Sequence, residues 1–95
     1  MAMTATGRKT VTAVGLPERL VDIVQPVAGR LDVTAPPTNT GDIYIGGRDV
    51  SGVAGQQNGW RLSPGDMWSV SNQQIYDVWI DATVAGEGVH WGAVE

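Results

Sequence analysis

Thr38-Asn39-Thr40-Gly41-Asp42-Ile43-Tyr44-Ile45-Gly46-Gly47-Arg48-Asp49-Val50 is the stretch that decides the fold. Asn39 and Gly41 suit turn conformations, one by bonding its own backbone and tolerating positive φ, the other by lacking Cβ. Ile43 and Ile45 alternate with Asp42 and Tyr44, which predicts a strand with one face against a core. Gly46-Gly47 cannot continue an ordinary strand and reads as a tight turn or bulge, after which the chain resumes as a second extended piece.

Working outward, the same grammar recurs. Thr10–Val14 is rich in β-branched residues and stops at Gly15, which predicts a first strand. Leu16-Pro17-Glu18-Arg19 reads as a corner, and Leu20–Val24 as a second strand ended by Gln25-Pro26. Ala28-Gly29 turns the chain into Arg30–Thr34, with Leu31 and Val33 on one face. Asn58-Gly59 and Pro64-Gly65 are turn dipeptides that bracket a short strand, Trp60–Leu62. Met67–Ser71 follows, and then Ile75–Asp81, with Tyr76, Val78 and Ile80 expected inward and Ile75, Asp77, Trp79 and Asp81 outward. Gly86-Glu87-Gly88 makes the last turn before Val89, Trp91 and Ala93 alternate in a terminal strand. Residues 1–9 are small, polar and aperiodic and read as a flexible N-terminal arm. The expectation is all-β: a single small β-sandwich over residues 10–95, Ig-like or jelly-roll-like, of about 7–8 short antiparallel strands.

Three of these pieces together carry a resemblance. The Thr38–Val50 stretch, Leu62-Ser63-Pro64-Gly65-Asp66 and Ile75-Tyr76-Asp77-Val78-Trp79-Ile80 together resemble a small β-sandwich module found among virion proteins of tailed bacteriophages. The shared pattern is N-T-G, aliphatic-aromatic-aliphatic-G-G, an isolated glycine, L-x-P-G, then a strand with an aromatic at its start. The isolated glycine is Gly52, Gly55 or Gly59, and the resemblance spans Leu16 to Val94. Gln56–Arg61 departs from it as an insertion-like segment. The resemblance implies a non-enzymatic virion structural protein: a capsid decoration or minor head protein, with a tail accessory as the alternative. It implies the major capsid protein or other virion subunits as partners, a homo-oligomer such as a trimer, and a virion location after assembly in the bacterial host cytoplasm.

Size and charge bound the remaining classes. The 95 residues make one small domain, which buries only about 60–65% of its unfolded surface. The absence of cysteine excludes disulfides and thiolate metal sites, leaving oligomerisation as the usual extra support. No stretch approaches the ~20 apolar residues of a membrane helix, and residues 1–9 lack the apolar segment of a secretory leader. All six basic side chains fall at or before Arg61, whereas residues 62–95 carry Asp66, Asp77, Asp81, Glu87 and Glu95 and no basic residue. An acidic C-terminal third disfavours nucleic acid, because phosphate contacts supply most of that affinity. It reads as a solvated face, or as one half of a complementary contact between subunits.

Chemistry-bearing residues do not assemble a catalytic signature. Ser69, Asp77 and the lone His90 can be drawn as a triad, yet no nucleophile elbow or oxyanion motif accompanies them. Asp77 and Asp81, four apart in a strand, stand ~13 Å apart, too far for joint acid–base work. Asp81, Glu87 and His90 bracket the last hairpin without the spacing of a ligand loop, so neither metal nor cofactor is expected. Four tryptophans dominate the aromatics. Each is weighed as core or edge packing first, except Trp79, which shares its strand face with two carboxylates and reads as an interface residue. The expected contact residues are Arg8 and Lys9 on the arm and Asp77, Trp79 and Asp81 on the sheet. A carbohydrate-binding module stacking sugars on exposed tryptophans is the competing function, and it needs two or more coplanar rings.

Overall fold

The computed structural model describes residues 3–21, 29–71 and 77–94. Among them are eight strands: β1 (Met3–Thr10), β2 (Glu18–Arg19), β3 (Arg30–Thr34), β4 (Ile43–Gly46), β5 (Trp60–Leu62), β6 (Met67–Ser71), β7 (Trp79–Ala82) and β8 (Gly88–Val94). One sheet has the order β1-β8-β3-β6 and the other β2-β7-β4-β5. Every pairing is antiparallel: β1 with β8, β2 with β7, β3 with β6 and β4 with β5, with β3·β8 and β4·β7 completing the sheets. The chain is thus one long hairpin, closed at β4–β5, whose paired arms wind alternately into the two sheets. That is the jelly-roll topology, and it selects between the two sandwich types that the sequence leaves open.

The inner faces come from the expected alternations. Leu31, Val33, Val89 and Ala93 from the first sheet meet Ile43, Ile45, Leu62, Ile80 and Ala82 from the second, all buried in one cluster. The outer face of the first sheet is solvated, with Arg8, Arg30 and His90 exposed on it, as one-sided antiparallel sheets allow. The Pro64-Gly65 turn also forms as expected: Asp66 N–H reaches Ser63 O at 2.9 Å, and Gly65 supplies φ +90° at the position that requires it.

Four expectations are corrected. The stretch taken as a free arm is, from Met3 onward, strand β1, in register with β8 at Gly7↔Trp91, Arg8↔His90 and Lys9↔Val89. An edge strand needs no apolar alternation on its solvent side, so its polar composition hid it. Thr10–Val14 is not a strand. β1 ends at Thr10, Val11 enters the core, and Leu16 N–H bonds Ala13 O at 3.3 Å in a turn. The corner at Leu16–Arg19 contains the two-residue strand β2; of the expected Leu20–Val24 strand, residues 22–24 lie outside the described residues. The expected strand from Ile75 begins only at Trp79, with Val78 and Ile80 inward as expected and Ile75 and Tyr76 outside the described residues.

Tyr44 is a further departure. It lies on the outer face of β4, opposite Asp81 of β7, yet it is buried, as Asp81 is. The excursion between β4 and β5 does not run on as an extended piece. It turns at Gly47–Val50, where Val50 N–H meets Gly47 O at 3.0 Å, and folds back over this face. The return is held by Gly52 N–H donating to Asp81 Oδ2 at 2.8 Å. A Cβ on Gly52 would lie 2.6 Å from the Ala82 carbonyl oxygen, so only glycine allows the approach.

Candidate functional site

A sandwich has two open sides, and each is closed here by a different chemistry. On the β1/β2 side, Lys9 and Glu18 both sit on core-facing positions of edge strands, opposite Val89 and Ile80. They form an ion pair at 3.0 Å, and Thr12 N–H donates to Glu18 Oε2 at 2.7 Å. That backbone donor, with Lys9 adding to it, holds the Glu18 carboxyl below its ordinary pKa against the opposing effect of burial. Across the molecule, on the β5/β6 side, Trp60 pairs in register with buried Ile45 and Trp68 with buried Val33. Both rings therefore point toward the gap between the sheets, with centroids 6.0 Å apart and planes tilted by 47°. Trp68 packs against the core, whereas Trp60 remains 62% exposed.

The tryptophan side opens into a cleft of about 220 Å³. Among the described residues its walls are the two indoles, Val70, Val78 and the backbone of Gly46-Gly47, and the one charged lining residue is Asp77. Apolar walls with a single fixed charge make an orienting site. The glycine pair, read from sequence as punctuation, thus leaves the β4 end of the cleft without side chains.

A second cleft, of about 360 Å³, lies where β1 and β8 meet the 36–39 and 86–88 turns. Arg8, Lys9, Thr38, Asn39, Glu87 and His90 are among its lining residues. Much of its polar capacity is already engaged. Glu87 accepts from Thr40 N–H at 2.7 Å, Thr40 Oγ1 at 2.8 Å and Gly41 N–H at 2.9 Å, while Asn39 Nδ2 donates to Gly88 O at 2.9 Å. The Thr40 and Gly41 amides together hold the Glu87 carboxyl below its ordinary pKa. The Asn39-Thr40-Gly41 motif is therefore a clamp on the turn that precedes β8.

The five expected contact residues do not form one surface. Arg8 is exposed beside His90 on the outer face of the first sheet, while Lys9 is tied to Glu18. Asp77 is exposed at the tryptophan cleft. Trp79 lies on the outer face of the second sheet, half-buried under the Arg19 guanidinium, whose central carbon is 4.6 Å from the ring centroid. Asp81 is corrected outright. It is fully buried and accepts hydrogen bonds from the amides of Gly15, Gly52 and Ala82 at 2.8–3.2 Å. Two returning loops cover a position that alternation alone assigns to solvent. Trp60 and Trp68 as a pair were missed, although alternation with Leu62 and Val70 already put both rings inward.

The drawn triad is scattered. Ser69 Oγ donates to Asp32 Oδ1 at 2.6 Å on the outer face of the first sheet, Asp77 lines the tryptophan cleft, and His90 lines the polar one. Among the described residues no three His, Asp or Glu side chains cluster closely enough to hold a metal ion. No helix of the described residues is long and apolar enough to cross a membrane.

The described residues form a jelly-roll sandwich with an apolar cleft at a sheet edge and a polar cleft at a turn. No protein family, curated protein or solved structure matches it.

Proposed function

We propose that this protein is a non-enzymatic structural component of a tailed-phage virion, a capsid decoration or minor head protein that docks on other virion subunits. The observation that carries the docking reading is the β5/β6 side, where both sheets end in strands without an outer neighbour among the described residues. Exposed Trp60 stands there, and Met67, 65% exposed, projects from β6 itself. Unpaired edges and large exposed apolar side chains favour contact with another chain over contact with water. The fold is compatible with this reading, since eight-stranded jelly rolls serve in viral capsids and in lectins, although a fold alone does not assign a function. The interior supports it further. It is filled by aliphatic side chains, so recognition belongs to the outside of the sandwich.

The sugar-binding reading draws on the same exposed Trp60. The tilt of 47° between the two rings opposes it, because a flat sugar platform needs coplanar faces. Sedimentation of the purified protein, alone and with capsids lacking it, tests the proposal. Saturable co-sedimentation at a fixed ratio to the capsid lattice is the expected result and gives the copy number. A protein that stays monomeric and does not bind capsids would overturn the head assignment and leave a tail component or a sugar binder.

A further inference from the structure

We infer that the cleft between Trp60 and Trp68 is a socket for an arginine side chain that a partner protein presents along the β5/β6 edge. This rests on the docking reading and gives it a chemistry. Tryptophan offers the strongest ring quadrupole for a cation. Asp77, the one charged residue among the described residues that line the cleft, supplies the counter-charge. It belongs to a C-terminal third with five acidic side chains and no basic one. A partner's cation is therefore complementary to the charge that Asp77 places at the cleft.

Arginine fits better than the alternatives. Its guanidinium is planar, weakly hydrated and stacks on aromatic faces, whereas a lysine ammonium is a compact, strongly hydrated charge. The protein already makes this contact within its own fold, where the Arg19 guanidinium lies over the Trp79 ring at 4.6 Å. A sugar would need several polar partners for its hydroxyls, and among the described lining residues Asp77 is the one charged side chain, with the two indole N–H groups as the other polar side-chain atoms. An extended partner segment can lie along the edge strands beside the cleft, which places its side chain at the opening.

The test uses the indole N–H resonances of the full chain, titrated with N-acetyl-arginine amide, with its neutral citrulline counterpart and with glucose. Saturable movement of the Trp60 and Trp68 indoles with the arginine probe alone is expected. Trp60→Ala and Asp77→Asn should each weaken that binding by roughly twofold to fivefold, as loss of one exposed cation contact implies. Trp60 is largely exposed and Asp77→Asn keeps the side chain's shape, so both variants should still melt cooperatively, Trp60→Ala at a somewhat lower temperature, which shows both folded. Equal response to citrulline, response to glucose instead, or no response to arginine would overturn the socket. Capsid co-sedimentation separates the two proposals. Capsid binding that survives both substitutions sinks the socket and leaves the docking reading, whereas arginine binding without capsid binding does the reverse.

Discussion

Gly52 donates its backbone N–H to the buried carboxylate of Asp81 at 2.8 Å, and this bond fixes the β4–β5 excursion on the outer face of the second sheet. Gly15 and Ala82 amides converge on the same carboxylate, so it joins two loops to strand β7. Asp81→Ala would strand these buried donors at about 1–3 kcal/mol each. The expected loss is about 3–5 kcal/mol, a large part of the roughly 5–14 kcal/mol available to a chain this long. Denaturant melts measure it. A loss under about 1 kcal/mol would mean that water replaces the carboxylate and that the loops are not held this way.

Glu87 makes stability depend on acid in a defined direction. Its folded pKa lies below the ordinary 4.5 because the Thr40 and Gly41 amides bond the charged form. The unfolded chain therefore binds more protons at low pH. The stabilisation is fully present above pH 4.5 and fades as pH falls through the depressed folded value. Glu87→Gln should lower stability at neutral pH and flatten its decline below pH 4.5, as read from melting temperature against pH. Glu18, held down by the Thr12 amide, titrates with the same sign, so a residual slope should persist in the variant and shrink again in the double variant with Glu18→Gln.

Alternation made most of the interior legible. Leu31 with Val33, Ile43 with Ile45, and Val89 with Ala93 are inward because each pair is two or four apart in a strand with one dry face. Turn chemistry placed the corner at Pro64-Gly65 in the same way. What local pattern could not reveal is which outer face another part of the chain covers. Asp81 and Tyr44 are buried by residues distant in sequence, and nothing within β4 or β7 announces it. The Asn39-Thr40-Gly41 motif was recognisable as a turn, but its partner Glu87 lies more than 40 residues away. Strand β1 was hidden because its pairing with β8 rests on backbone bonds, which side-chain pattern does not encode. The tryptophan cleft is non-local too, since Trp60 and Trp68 belong to different sheets.

Strand β1 leads to a truncation experiment. Deleting residues 1–8 should destabilise the sandwich, because it removes the β1 pairing to β8 at Gly7↔Trp91 and Arg8↔His90. It also turns β8 into a bare edge, prone to pair with another copy. Hydrogen exchange should quicken along β8, and sedimentation should show more association than the full chain does. Unchanged exchange along β8 would show that these residues contribute no sheet in solution.

Trp60 and Ile45 face each other in register across β4 and β5, yet they should differ sharply in their weight. Ile45 is fully buried and packs in the core, so Ile45→Ala should cost about 2–5 kcal/mol through lost burial and the cavity left behind. Trp60 is 62% exposed, and its main fixed neighbour is the Trp68 ring. Trp60→Ala should therefore cost only about 0.5–1.5 kcal/mol, the scale of a single aromatic pair. Trp68→Ala should fall between the two, because its ring also packs on the core cluster. Chemical denaturation of the three variants gives the order directly. If Trp60→Ala destabilised as much as Ile45→Ala, the ring would be part of the core and not a surface held for a partner.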